Sequence, residues 1–408
     1  MTMHDVIIVG GGPAGLSAAR RLLVSGVRDV VVLERENEAG GIPRHCGHGG
    51  FGIGQYLSLP MNGPAYARRL VESATGADIR TQTTVTSIRP GGRVDIVHPE
   101  RGTQALEGRC ILLATGIRET PRSARLVTGG RPAGITTTGA LQQMIYLKHL
   151  RPFARAVVIG SELVSFSALL TARHGGIKIA AMIEEDDRIA ARKPGDWIAR
   201  HLFGVPVLTR TKLTAIRGIE RVEGVEIERD GRRETIPCDA VIFSGRFQPE
   251  TALLKGSHII LNPHSNGPAI DQYFRTSDPQ MFAAGNLLRP VETSGMCWAE
   301  GRIAAANIAA ALAGTLPPPA PGVAVRISEP VKYVYPQIIV PSAGSPVPMP
   351  LMRARVIRAA RGKLRLTVDG QELWSRSGRF LPERRLTIPT SGIPISGITD
   401  IAVDLIED

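Results

Sequence analysis

The chain has 408 residues, 49 Lys+Arg against 37 Asp+Glu, a formal charge of +12 and 43% hydrophobic residues. At about 100–200 residues per domain this makes two or three folded domains, and the composition argues against a disordered chain. Only seven of the 49 basic residues are lysine, and the arginine bias is spread along the chain with none of the local stripes a nucleic-acid site needs, so no nucleic-acid partner is expected. The 45 glycines call for many tight turns or close backbone approaches.

Residues 5–10 (DVIIVG) form a short continuous apolar run, as in a strand buried on both faces of a parallel sheet. A glycine turn, a helix over 16–25 and a second buried strand over 30–33 complete a βαβ unit of about 30 residues. Strands are expected over 79–88 and 93–97, with a buried strand over 109–115. A second βαβ unit starts at Ala156, with a helix over 163–174 and a strand over 178–183. A hairpin follows around Asp230-Gly231, a strong turn pair. Buried strands at 240–243 and 281–284 precede a helix over 294–312. Pro317, Pro318, Pro319 and Pro321 mark a linker. Beyond it, strand signals at 323–327, 333–340, 353–359 and 363–368 predict a small β domain.

Cys46, Cys110, Cys238 and Cys297 show no C-x-x-C spacing, so neither a cysteine-ligated metal nor a short-range dithiol is expected. No basic n-region precedes the first strand, and no apolar run reaches the 18 or so residues of a membrane helix, so a soluble, cytoplasmic chain with no membrane span is expected.

Gly10-Gly11-Gly12-Pro13-Ala14-Gly15 satisfies G-x-G-x-x-G between a strand and a helix, where free N–H groups and the helix dipole favour a pyrophosphate. Glu34 ends the next strand, where a carboxylate accepts hydrogen bonds from a ribose and repels a 2′-phosphate. The cofactor is therefore a dinucleotide. In the second unit, Gly160-Ser161-Glu162-Leu163-Val164-Ser165 keeps the first glycine, but Glu162 and Ser165 take the other two glycine positions. A carboxylate there opposes a phosphate, which disfavours NAD(P). Two readings stand: Glu162 as a built-in phosphate mimic, which is preferred, and a weakly held NAD. Glu184-Glu185-Asp186-Asp187 further disfavours NADP.

Three segments resemble the two-dinucleotide-domain flavoprotein family that includes thioredoxin and glutathione reductases, the pyridine nucleotide-disulfide oxidoreductase-like proteins. They are DVIIVGGGPAGLSAA with Glu34, Leu113-Ala114-Thr115-Gly116, and residues 276–286 (TSDPQMFAAGN). The resemblance covers about residues 4–315. It implies an α/β fold of two Rossmann-like, three-layer ββα dinucleotide-binding domains, one inserted in the other, plus the small C-terminal all-β domain. The implied parts are an FAD domain at 1–117 and 246–316, an inserted NAD(P)-binding-like domain at 118–245 and the β domain at 322–408. The first cofactor is then FAD. The positions implied to bind it are Gly10, Gly12, Pro13, Ala14, Gly15, Glu34, Arg35, Gly41, Arg44, Val85, Ala114, Thr115, Gly116, Gly285, Asn286, Ser294 and Gly295. Asn286 stands where the family has an aspartate.

Gly40-Gly41-Ile42-Pro43-Arg44-His45-Cys46-Gly47-His48 lies where glutathione-reductase-type enzymes carry two redox cysteines; one is present here, so that exchange chemistry is not expected. With Gly63-Pro64-x-Tyr66-Ala67 it resembles flavoprotein subunits of multi-subunit dehydrogenases for glycerol 3-phosphate, opines and hydroxyproline. His45, Cys46 and His48 are the catalytic candidates, as proton acceptors or substrate ligands, histidine being suited by its reference pKa near 6.5. The alternative is that this loop only packs. The implied function is that of an FAD-dependent dehydrogenase subunit, which takes a small-molecule substrate and has other dehydrogenase subunits or an electron acceptor as partners. An NAD(P)H-dependent flavin reductase and a non-catalytic flavin scaffold remain as alternatives. In the β domain, Arg353 and Arg355, and Arg361, Lys363 and Arg365, recur with period two, so each set shares a strand face. That pattern fits either a basic docking face for an acidic partner or a solvated arginine face.

Overall fold

The computed structural model describes residues 3–55, 60–340, 351–394 and 396–408. The chain divides into two compact units, one of residues 1–41, 67–117 and 249–408, the other of 42–66 and 118–248.

In the first unit four strands run parallel in the order Asp78–Arg80, Val30–Leu33, Met3–Val9, Gly102–Leu113. Met281–Ala283 adds parallel to the last, and Arg93–His98 and Thr84–Arg89 continue it antiparallel. Val6, Ile7, Ile8, Val31, Val32 and Leu112 are inaccessible to solvent, which is why these runs are apolar without alternation. The first helix (Pro13–Val24) begins three residues earlier than its periodicity predicts, because Pro13, lacking an N–H that would be unsatisfied anyway, suits the first helical position. It packs on the long helix Ser294–Leu312. At Gly301, inside that helix, a Cβ would fall 2.1 Å from the Ala14 carbonyl, and the Ser17 hydroxyl donates to the Trp298 carbonyl at 2.8 Å.

The C-terminal segment forms two sheets within this unit. One orders Ile338–Ile339, Val323–Ile327, Ile401–Glu407, Ala360–Val368 and Gln371–Phe380; the other orders Val331–Tyr335, Leu351–Val356 and Leu386–Pro389. Val334, Met352, Leu364, Leu386, Ile388 and Val403 form their shared core. The single strand expected over 333–340 is broken in two, with Pro336, which has no N–H for a ladder, between the pieces. Residues 341–350 lie outside the described residues.

In the second unit the parallel order is Val207–Leu208, Lys178–Ile183, Arg155–Ile159, Ala240–Phe243, Ile135–Thr137. An antiparallel sheet (Arg232–Pro237, Gly224–Arg229, Thr211–Arg217) covers one face through Val157, Leu213, Val225, Ile227 and Val241, and helix Leu163–His174 covers the other through Ala168, Leu169, Val158 and Ile242. Asp230 and Gly231, both at positive φ, close the predicted hairpin. The fold class is therefore two Rossmann-like layered units with a strand-rich C-terminal region. No helix among the described residues is long and apolar enough to cross a membrane.

Each cation of the stretch 352–368 has an acidic partner. Arg353 pairs with Glu300, Arg355 with Glu292, Arg358 with Glu407, Arg361 with Asp408, Lys363 with Glu372 and Arg365 with Asp404. The stretch 352–368 contains no acid, but neighbouring elements supply one for each cation. The reading as a docking face for an acidic partner therefore loses its basis.

Candidate functional site

Three glycines in the first loop have three different reasons to be glycine. Gly10 sits at φ +110°, and a Cβ there would lie 2.4 Å from the Ala114 carbonyl oxygen. At Gly15 a Cβ would lie 2.0 Å from the Gly10 carbonyl, so this residue lets the helix close on the strand. Gly12 is at an ordinary φ of −88°, and a Cβ there would meet only the Gly41 Cα, at 3.9 Å. Neither backbone conformation nor packing among the described residues demands glycine at 12; the space beside it is open. The helix that starts there has no side-chain cap and no acid in its first turn, so its N-terminal dipole is free to meet an anion. Glu34, buried at the end of the second strand, accepts from the Gly11 N–H through Oε2 and from the Glu36 N–H through Oε1, each at 2.9 Å. The remaining lone pairs of this fixed carboxylate suit ribose hydroxyls. An open cradle, an uncapped helix and an oriented carboxylate fit a dinucleotide.

Other expected positions of the first unit surround the same strand ends. Gly41, at φ +64°, abuts Gly12. Ala114 is buried, and Thr115 donates to the Glu250 carbonyl at 2.8 Å; Gly116 is at φ +77° with open space around it. Gly285 lies at φ +76° against Ala14. Asn286 donates through Nδ2 to the Glu292 carbonyl at 3.1 Å and accepts the Glu292 N–H through Oδ1 at 2.7 Å. This explains asparagine over aspartate: the loop needs a donor and an acceptor, and a carboxylate would face the Glu292 carbonyl with no proton. Thr293 caps the long helix by accepting the Met296 N–H at 3.4 Å, while Ser294 and Gly295 are its half-buried first residues. Val85 is half-buried in the Thr84–Arg89 strand, and Arg35 is exposed beside Glu36.

His45, Cys46, His48 and Arg44 belong to the second unit. Arg44 and His45 end a short 3-10 turn, Ile42–His45. His45 is buried, and burial with the Arg44 charge pushes its pKa down to about 4, so it is neutral at pH 7. Cys46 donates to the Ile42 carbonyl at 3.4 Å and the Gln142 Oε1 at 3.6 Å. Burial pushes its thiol up to about 12. His48 is half-buried. Its Nδ1 lies 2.9 Å from the Gly49 carbonyl, which can only accept, so Nδ1 donates there; Nε2 lies 2.9 Å from the Ser167 hydroxyl.

The helical turn Thr138–Gln142 and its continuation Gln143–Leu147, unforeseen from the sequence, support this loop. Gln142 holds Cys46, and a Cβ on Gly47 would fall 2.3 Å from the Tyr146 ring. The run Thr136-Thr137-Thr138-Gly139 reads poorly as a helix start because β-branched residues and glycine disfavour helix.

All four cysteines are free and buried. Burial pushes Cys110 and Cys238 up to about 11, and Cys297, like Cys46, up to about 12. The thiolate is the reactive form. Titration of the native protein with an aromatic disulfide reagent at pH 7–8 is therefore expected to show no fast thiol, and denaturation to release all four; one fast native thiol would contradict this picture.

The second loop repeats the first with one change of charge, Glu162 in place of a glycine. Gly160, at φ +108°, lies against the Ser244 carbonyl as Gly10 lies against Ala114. Ser161 stands where Gly11 does, its hydroxyl donating to Glu184, the counterpart of Glu34. Glu162 stands where Gly12 does. It does not cap the helix behind it; its Oε1 accepts the Arg246 N–H at 2.8 Å. Gly245 and Arg246 are both at positive φ, and each of their successive amides donates to a carboxylate. Glu119 takes the other one, accepting from Gly245 at 3.2 Å and from Gly139 at 2.7 Å; burial raises its pKa. Two carboxylates of the chain thus occupy amides at the end of the second sheet, where the first unit has only the bare Ala114–Gly116 turn.

A family model for pyridine nucleotide-disulphide oxidoreductase matches residues 4–312. The chain belongs to that family. As a family member it is a flavoprotein oxidoreductase whose cofactor is FAD, in agreement with the open first cradle. It is similar to a thioredoxin reductase of Treponema pallidum (strain Nichols), 29% identical over 70% of this chain and 89% of that protein. It is also similar to an opine oxidase subunit of Rhizobium meliloti, 25% identical over 75% of this chain but only 62% of that protein. Among solved structures, the thioredoxin reductase of T. acidophilum superposes with a TM-score of 0.62 at 24% identity, over 76% of this chain and 99% of that one. The NAD-dependent persulfide reductase of A. fulgidus superposes at 0.59 and 20% identity, over 95% of this chain and 71% of that one. These structural likenesses establish the fold.

Proposed function

We propose that the chain is the FAD-carrying subunit of a dehydrogenase that oxidises a small carbon substrate and passes the electrons to a partner subunit or quinone, with no NAD(P)H involved. FAD, when bound, supplies acceptance of a hydride equivalent from carbon; orientation and charge come from the protein. Gly10, Gly12, Pro13, Ala14 and Gly15 cradle its pyrophosphate, Glu34 holds its ribose, and Gly285, Asn286, Ser294 and Gly295 hold its other end at the start of the long helix. Arg35, Gly41, Val85, Ala114, Thr115 and Gly116 complete the contacts. His48 is the candidate proton acceptor, with Nε2 already poised on a hydroxyl, while neutral His45 and the protonated Cys46 thiol hold its loop in place.

The observation that carries this reading is Glu162, whose carboxylate fills the position that Gly12 leaves open. The lone Cys46, held as a thiol, supports it by leaving a two-cysteine disulfide exchange without its second sulfur. The likeness to a subunit of opine oxidase points the same way. Amino acids, opines, polyols and their phosphates are the substrate classes proposed, with a cytoplasmic location.

One specific observation favours a second reading, reduction of the flavin by NAD(P)H. Glu184 keeps the ribose-side carboxylate of the second crevice, with Ser161 fixing it, and the chain resembles thioredoxin reductase. Anaerobic mixing of the holoprotein with each substrate class decides between them. The proposal expects one class to bleach the flavin band and to support turnover with an artificial acceptor. Bleaching by NADH or NADPH and by none of the carbon substrates would overturn it.

A further inference from the structure

Arg353 and Arg355 lie on one face of strand Leu351–Val356 and reach out of the β domain into the flavin-domain segment 285–300. Arg353 donates to Glu300 Oε1 at 2.9 Å. Arg355 donates to the Val291 carbonyl at 3.0 Å and to Glu292 Oε1 at 3.2 Å. Glu300, in the long helix and 1% exposed, is a shared acceptor: the same oxygen takes Arg289 Nη2 at 2.6 Å and the Tyr335 hydroxyl at 2.9 Å. Its other oxygen has no hydrogen-bond partner among the described residues. Arg289 is fully buried, stacks over the Tyr335 ring at 4.7 Å, and donates its other nitrogen to the Gly285 carbonyl. Burial opposes its charge, but the Glu300 carboxylate more than offsets this and the guanidinium pKa is raised.

The chain of contacts runs without a gap from the β domain to the turn proposed to hold FAD. Arg353 and Tyr335 fix Glu300, Glu300 fixes Arg289, and Arg289 fixes the Gly285 carbonyl. In parallel, Arg355 fixes Val291 and Glu292, and Glu292 fixes both ends of the Asn286 amide. Arg385 adds a fourth guanidinium, 3.7 Å from Glu292 Oε2. Four guanidinium groups thus face two carboxylates, leaving a surplus of positive charge behind the N-terminus of the long helix, where helix dipole and cations together favour an anion.

We infer that the C-terminal β domain is a built-in part of the flavin site, and that Arg353 and Arg355 are positioning residues that hold the Gly285–Gly295 segment in shape for FAD and favour its reduced, more negative form. This rests on the FAD reading of that segment and is independent of which reductant the enzyme uses.

The test is FAD titration of the apoprotein, with the flavin midpoint potential of the holoprotein, for Arg353→Met, Arg355→Met, Arg353→Lys and Arg355→Lys. Arg358→Met and Arg326→Met are the controls, since both residues make exposed ion pairs on the same domain. The Met variants are expected to raise the Kd for FAD by about tenfold or more and to shift the potential negative, because a cation near the developing charge is gone. The Lys variants keep the charge without the fork and should recover the potential better than the affinity. The controls should match wild type in both. Wild-type Kd and potential in both Met variants would overturn the inference, even with a lowered melting temperature, which docking alone would explain. If a Met variant proves unfolded by far-UV circular dichroism, its Lys counterpart decides: unchanged Kd and potential overturn the inference, and a weakened Kd upholds it.

Discussion

Gly12→Ala is expected to weaken FAD binding while leaving the apoprotein as stable as wild type. Among the described residues the added methyl meets nothing closer than the Gly41 Cα at 3.9 Å, and φ at this position is ordinary for alanine. On the proposed reading, the neighbour at closer range would be the bound cofactor. Overpacking costs typically about 1–3 kcal/mol, a rise in Kd between about fivefold and more than a hundredfold. Gly10→Ala and Gly15→Ala should behave oppositely, destabilising the apoprotein itself, because their methyls would fall 2.4 Å and 2.0 Å from backbone carbonyl oxygens that cannot yield. Melting of the apoproteins and FAD titration separate the two effects. A Gly12→Ala apoprotein that melts early, or that binds FAD as tightly as wild type, would remove the reason for reading open space at this glycine as a pyrophosphate cradle.

The second large effect is expected at Glu162. Its carboxylate occupies the Arg246 amide at the mouth of the second crevice, where a pyrophosphate would bring further negative charge. At an effective dielectric near 20, like charges about 4 Å apart repel by about 4 kcal/mol. Glu162→Gly removes the charge, restores the residue found at the equivalent place in the first loop, and leaves Glu184 and Ser161 in position for a ribose. NADH affinity should rise by at least about tenfold, read by equilibrium titration. An affinity unchanged from wild type would mean that Glu119, which holds the neighbouring amide, closes the crevice on its own or that Glu162 is irrelevant to it; either result removes the role assigned here to Glu162.

The sequence exposes what is local. The first glycine loop and Glu34 are legible because strand, turn, helix and acid follow one another within one βαβ unit. The Glu162 substitution is visible as a departure from the same pattern, although the destination of its side chain is not: the Arg246 amide lies 84 residues away. Asn286 reads from the sequence only as a departure from the family's aspartate, and the paired hydrogen bonds to Glu292 show why an amide is needed. The pairing of the β-domain cations is also hidden from the sequence. A scan of 352–368 sees cations without acids, because Glu292, Glu300, Asp404, Glu407 and Asp408 arrive from other elements. The Arg289–Glu300 pair and the Tyr335 hydroxyl that joins it carry no periodicity or motif that could announce them.

The central claim is that the flavin of this enzyme takes its electrons from a carbon substrate and not through the second nucleotide-type crevice. Stopped-flow mixing of the wild-type holoprotein with excess NADH, and separately NADPH, without oxygen tests it most directly. The visible flavin band is expected to persist over many turnover times and to bleach only on later addition of the carbon substrate. Rapid, complete bleaching by either nicotinamide nucleotide would contradict it.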